Sequence, residues 1–131
     1  MSHTPLRVVK IEVDVIASTD GTKIVCTPES ADVVKDTCHV LLVFTLNTTG
    51  FRFPEKGAIA VDFQADDTTP AENFPFHSWT ISDTQAALYD NNKSARAFGY
   101  TVNVLNNSTG APYKVDPLIN NGGGGTGAAG C

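Results

Sequence analysis

The chain has 131 residues, of which 41% are hydrophobic and 18% are charged, and its formal net charge is −5. This length suits one domain, and the composition excludes the disordered class. The acidic balance argues against nucleic-acid binding, which needs a basic face. No apolar run approaches the roughly 20 residues of a membrane span, and residues 1–7 lack a signal-peptide pattern, so we expect a cytoplasmic protein.

Hydrophobic residues in the first half of the chain recur with a period of two, which is typical of strands. Residues 9–17 and 23–27 predict two strands, and residues 29–36 predict a loop or one helical turn. Residues 38–46 are apolar on both faces, which favours a central strand covered on both sides. Residues 58–63 alternate again and predict a further strand.

The second half continues the same pattern after an irregular stretch at residues 64–75. Strands are predicted at 76–82, 98–104 and 113–119, whereas residues 83–89 fit a strand or a helix. About seven to nine short strands at this spacing are typical of a sandwich or barrel. We therefore predict an all-β, immunoglobulin-like antiparallel β-sandwich over residues 1–120, with a small closed barrel as the alternative.

The C-terminal segment has a different composition from the rest of the chain. Six of the eleven glycines follow Asn121, and the segment ends in Cys131. Because glycine loses the most conformational freedom on ordering, residues 121–131 predict a flexible tail. The tail would carry one reactive group, a terminal thiol beside a terminal carboxylate.

Two segments near the C-terminus carry a resemblance. Residues 98–104 read Phe-Gly-Tyr-Thr-Val-Asn-Val, and residues 113–120 read Tyr-Lys-Val-Asp-Pro-Leu-Ile-Asn. This hairpin resembles the C-terminal hairpin of small bacterial all-β proteins of the DP-EP family, which end on an Asp-Pro-x-Ile-x-Asn motif. The resemblance covers about the last quarter of the chain and implies a β fold, without catalytic residues to transfer.

The cysteines favour structural over catalytic roles. Cys26 and Cys38 are expected to be buried thiols, with a disulfide between them as the alternative. Cys38 and His39 cannot form a catalytic dyad, because neighbours in a strand point to opposite faces. A thiol enzyme would need His3 or His77 as its base, so we predict a protein that is not an enzyme.

The middle of the chain is strongly acidic. Residues 57–92 contain no lysine or arginine, and their acids include Asp62, Asp66, Asp67 and Glu72. Carboxylates at a loop tip are suitable Ca²⁺ ligands, but the spacing of an EF-hand is missing. We expect no cofactor, with Ca²⁺ as the alternative to a solvated acidic loop.

Two further features admit both a functional and a structural interpretation. Trp79 is interpreted as a core residue, and the alternative is a ligand groove, such as a sugar platform, formed with His77, Phe74 and Phe76. Lys10 and Asn120 lie in strands that could form an internal isopeptide bond. Lys10, however, falls on the wet face of its strand, which argues against that bond.

We predict a non-enzymatic binding or assembly module that acts through loops or an exposed strand edge, with a protein partner or a second copy as ligand. The alternative is a carrier or precursor whose C-terminal peptide is modified, cleaved or attached at Cys131. The predicted partner or cation surface is formed by Asp62, Asp66, Asp67, Glu72 and His77.

Overall fold

A computed structural model describes residues 7–18, 21–33, 39–63, 66–94 and 96–121. His3, Cys38, Cys131 and the predicted tail from residue 122 onward lie outside the described residues. The described chain forms two packed β-sheets, which confirms the prediction of an all-β sandwich.

The first sheet has five strands in the order β2–β1–β4–β8–β7. Their bounds are β1 Arg7–Ser18, β2 Gly21–Thr27, β4 Val40–Leu46, β7 Trp79–Ser82 and β8 Gln85–Asp90. β4 pairs in parallel with β1 and antiparallel with β8, so it is central, as its apolar residues on both faces predict.

The second sheet is built around the long strand β9, Ala97–Asn106. Along one edge, β9 pairs with β10 and β11, and beyond β11 lies β3 in parallel pairing. The other edge of β9 takes the short strands β5 and β6, since Val102 pairs with both Val115 and Ile59. Their bounds are β3 Ser30–Val33, β5 Phe51–Arg52, β6 Ile59–Val61, β10 Pro112–Val115 and β11 Leu118–Asn121.

The core lies between the sheets and follows from the alternation in each strand. The first sheet contributes four fully buried side chains, Ile11 and Val13 from β1 and Leu42 and Phe44 from β4. Tyr100 of β9 meets them from the other sheet, and its ring packs edge-to-face on that of Phe44 at a centroid distance of 5.6 Å.

The sheets differ from the prediction in two respects. They are mixed, because β1 and β4 run parallel and β11 and β3 run parallel, whereas an antiparallel sandwich was expected. The predicted last strand is two strands, since Asp116-Pro117 separates β10 from β11, and Asn121 lies inside β11 beyond the expected boundary at residue 120. The immunoglobulin-like topology stays a prediction.

The acidic stretch contains a short helix, α1, at Thr69–Asn73. The backbone N–H of Thr69 donates to the Asp67 carboxylate at 3.0 Å, and Pro70 is favourable in the first turn. In the described part of the chain, no helix has the length and hydropathy of a membrane span.

Candidate functional site

The predicted acidic surface is divided among separate structural roles. Asp67 forms an ion pair with Arg96 at 2.6 Å. The hydrogen bond from Arg96, together with those from Thr69, lowers the pKa of Asp67 to about 2. Asp67 therefore organises the start of α1 and is already matched by a cation.

The other predicted acids do not complete a cation site. Glu72 lies in α1 and accepts a hydrogen bond from the Thr68 hydroxyl at 3.3 Å. Asp62 follows β6 and packs on Gly99, where a Cβ would stand 2.5 Å from the Asp62 carboxylate. Among the described residues, no group of three or more His, Cys, Asp or Glu side chains is arranged to hold a metal ion.

A groove of about 690 Å³ is lined by residues of β6, which belongs to the second sheet, and of β7, which belongs to the first. Its wall is formed by residues 55–57, 59–61, 63 and 76–79, together with Leu88. The lining is mainly apolar and aromatic, with Glu55, Lys56, His77 and Ser78 as its polar members. Of the predicted site residues, His77 is the one that this groove includes.

Trp79 is 45% exposed, so its interpretation as a core residue is wrong. In β7, Trp79 pairs with Ala87, which is buried but lies outside the core cluster, whereas its neighbour Thr80 pairs with Ala86 of that cluster. The predicted groove residue Phe74 is instead the buried one, and its ring packs edge-to-face on Phe98 at 5.3 Å.

Two further aromatic side chains extend the apolar surface around Trp79. Phe76 is 63% exposed and Phe63 is 51% exposed, and both line the groove. The Phe76 ring lies 5.7 Å from the Tyr89 ring, whose hydroxyl stands 2.5 Å from Nδ1 of His39. Exposed aromatic side chains gathered in one place mark an interaction surface more specifically than scattered ones do.

Side-chain hydrogen bonds fix the position of β7 relative to the opposite wall. Ser78 Oγ accepts from the backbone N–H of Ile59 at 3.2 Å. Thr80 Oγ1 donates to the carbonyl oxygen of Pro54 at 2.6 Å. The groove is therefore held in shape by bonds between its walls, and a ligand would not have to order it.

Phe63 and Ile81 are exposed, although the sequence predicts both as residues of regular strands. Phe63 continues the alternation of Ile59 and Val61, which predicts burial, but β6 ends at Val61 and Phe63 turns outward. Ile81 lies at the irregularity between Thr80 and Ser82 in the pairing of β7 with β8. An exposed apolar strand edge has no separate signature in a single sequence.

The remaining candidates have no catalytic arrangement in the described residues. Cys26 is a free, buried thiol, as expected, and burial raises its pKa to about 11. Lys10 lies exposed in β1, and Asn120 donates to Ser30 and Asp32 in the other sheet. Lys10 and Asn120 therefore lie in different sheets, and the Asn120 amide is already bonded within its own sheet.

Comparison with known proteins yields no assignment: no protein-family model matches the chain, and a search of curated proteins finds no significant match.

Proposed function

We propose that this protein is a non-enzymatic binding module that holds an extended segment of a partner protein in the groove between β6 and β7. One observation carries the proposal: Phe63, Phe76 and Trp79 are exposed together beside a strand edge. Desolvating such rings supplies much of the binding free energy at protein interfaces, where aromatic residues are enriched.

The edge of β7 supports an extended ligand. β7 pairs with β8 along one side, and no strand in the described ranges pairs with its other side. Such an edge can accept backbone hydrogen bonds from an added strand, while pockets beside it take alternate side chains. The register irregularity after Thr80 limits the added pairing to a short segment.

The charges around the groove favour a basic partner segment. The lining holds one acid, Glu55, and one lysine, Lys56, and two further acids, Asp62 and Asp83, directly follow β6 and β7 in the chain. Asp62 and Asp83 are exposed and form no ion pair among the described residues. An extended segment that alternates apolar and basic residues therefore matches both the exposed aromatic rings and the acidic side chains near them.

The lining favours a peptide over a sugar. A bound sugar ring needs several polar side chains around the aromatic platform. Ser78, one of the few polar groups in the groove, already bonds to Ile59 across it. An extended peptide instead satisfies its backbone on the strand edge, so it needs few polar side chains from the groove.

The test uses the fluorescence of Trp79, the one tryptophan in the chain. A valine–lysine peptide of roughly eight residues, a usual strand length, is titrated against the protein. The same titration is run with a valine–glutamate peptide of equal length and with a panel of neutral oligosaccharides. We expect the basic peptide to shift the emission to shorter wavelength, since binding removes water from the indole.

Ile16→Ala is the matched control variant, because Ile16 lies on β1 away from the groove and is 44% exposed, close to the 45% of Trp79. It should leave the titration unchanged. Equal response to both peptides, or a response to an oligosaccharide alone, would refute the proposed partner class. Deleting residues 122–131 should preserve binding, whereas loss of binding would favour the tail-based carrier function.

A further inference from the structure

Four polar side chains are buried where α1, β8 and β11 approach one another. Asn73, Asp90 and Asn92 have no solvent exposure, and Asn121 is 2% exposed. Burying polar groups is unfavourable unless each one finds a hydrogen-bond partner. A donor or acceptor in this cluster that lacks a partner would therefore destabilise the fold.

Asn73 has its capacity fully used. Its Oδ1 accepts from the backbone N–H groups of Lys93 and Ser94 at 2.7 and 2.9 Å, and from Nδ2 of Asn121 at 3.0 Å. Its Nδ2 donates to the Thr69 carbonyl oxygen at 2.9 Å and to the Ser94 hydroxyl at 3.2 Å. Asn73 thus joins α1, β11 and the segment after β8.

Asp90 and Asn121 are only half paired with each other. Nδ2 of Asn121 donates to Oδ1 of Asp90 at 3.0 Å, and that oxygen also accepts from the N–H of Asn92 at 2.8 Å. The second oxygen of Asp90, Oδ2, and the amide oxygen of Asn121, Oδ1, are both buried without a hydrogen-bond partner among the described residues. Both atoms are acceptors when Asp90 is ionised.

One proton resolves both unpaired atoms. A proton on Oδ2 turns the Asp90 carboxyl into a donor, and the Oδ1 atom of Asn121 is the acceptor that lacks one. Added to the existing bond from Asn121 Nδ2 to Asp90 Oδ1, an O–H···O bond between these two atoms completes a cyclic acid–amide pair, in which each group donates once and accepts once. Burial acts in the same direction, since it raises the pKa of Asp90 to about 6 despite the hydrogen bonds from Asn92 and Asn121.

No ion pair with a neighbouring cation offsets the raised pKa of Asp90 in the described residues. No Lys, Arg or His side chain in the described ranges forms an ion pair with Asp90. The nearby charged groups point elsewhere: Glu72 of α1 bonds to Thr68, Arg96 to Asp67, and Asp32 of β3 to Asn120, while Lys93 is exposed. Tyr89, the adjacent residue in β8, has its pKa raised by burial and by Asp90.

We propose that Asp90 and Asn121 form a proton-dependent lock, in which a proton shared from Asp90 Oδ2 to Asn121 Oδ1 ties the last strand β11 to β8. Loss of the proton leaves two buried oxygens, one on each side chain, that are both acceptors without a donor. The pKa of Asp90 is higher in the folded than in the unfolded chain, so the lock is complete below about pH 4 and is lost as the pH rises through about 6.

Asp90→Asn tests the lock, because an asparagine at this position has nearly the same shape and carries a permanent donor where the proton would be. Urea unfolding of the wild type and the variant is compared from about pH 4 to about pH 7.5. Relative to the variant, the wild-type unfolding constant should rise about 100-fold over this range, since each pKa unit of difference contributes a factor of ten. Parallel pH profiles would overturn the proposal.

A measurement on the wild type alone covers the case in which the variant fails to fold. The ¹³Cγ resonance of Asp90 should titrate with a midpoint near 6, and the side-chain NH₂ resonances of Asn121 should move with it. A midpoint at the ordinary aspartate value would refute the lock. So would an intact mass short of one ammonia with Asn121 as the altered residue, because the amide that completes the pair would have been consumed.

Discussion

The groove and the polar cluster both depart from the usual pattern of buried apolar and exposed polar side chains. The groove leaves Phe63, Phe76 and Trp79 in solvent, whereas the cluster buries Asp90 and Asn121 in the core region. Exposed rings cost the isolated protein little and are available to a partner. Buried polar groups are costly unless every bond is made, so they constrain the fold to one arrangement.

The two regions are linked through β8. Leu88 faces the core and reaches the groove lining, and Asp90, two residues further along the same strand, belongs to the polar cluster. Because the cluster is buried and the groove is exposed, substitutions in the cluster should change the stability of the fold, whereas substitutions in the groove should change binding.

Asn73→Ala should destabilise the protein by about 3 kcal/mol, because it leaves two buried backbone N–H groups and the Asn121 amide without their acceptor. Urea unfolding at neutral pH measures the change. Asn47→Ala is the control, since Asn47 is exposed and makes one side-chain bond, to Glu12. Equal effects of the two variants would show that the cluster has no special role in stability.

Trp79→Ala should weaken binding of the valine–lysine peptide about 30-fold, equivalent to about 2 kcal/mol, because a central aromatic side chain is the usual hot spot. Its effect on unfolding should stay near 1 kcal/mol, since the side chain is half-exposed. Peptide amide resonances can follow this titration without the tryptophan signal. A large loss of stability with unchanged affinity would reverse the roles assigned to the two regions.

Salt should weaken the same binding several-fold between about 0.1 M and about 1 M, since the screening length falls from roughly 10 to roughly 3 Å. The exposed carboxylates of Asp62 and Asp83 are the groups being screened. The double variant Asp62→Asn with Asp83→Asn should lose most of this dependence. Affinity that is independent of salt would contradict a basic partner.

Asp67 should have the smallest effect on stability, and its pH dependence should run in the opposite direction to that of Asp90. Its pKa is lowered to about 2 in the folded chain, so its stabilising contribution is present above about pH 4 and is lost as the pH falls through about 2. The Asp67–Arg96 pair is on the surface, so Asp67→Asn should lower the thermal midpoint only slightly at neutral pH. The variant should differ least from wild type in strong acid.

Most of the fold could be predicted because it rests on alternation within single strands. β4 and β9 carry clear patterns of apolar residues and lie at the centres of the two sheets. β8 was ambiguous, because Ala86, Ala87 and Leu88 are good helix formers, and pairing with β4 and β7 overrides that propensity. β3 corrects the loop or helical turn predicted for residues 29–36, since four residues are too few to show a clear period.

The two functional regions could not be predicted in the same way, because each depends on contacts between distant segments. Trp79 has the sequence context of a core strand, and its exposure accompanies the position of β7 at the edge of its sheet. Asn73, Asp90 and Asn121 come from three separate elements, and each has the appearance of a turn residue. Nothing in the local sequence indicates that they meet.

The most direct test of the proposed function is amide hydrogen exchange of β7 with and without the valine–lysine peptide. We expect the amides of Trp79–Ser82 that do not bond to β8 to become protected on binding, while the amides of β1 and β2 exchange unchanged. Protection confined to another surface, or no protection at saturating peptide, would contradict a partner strand held in the groove.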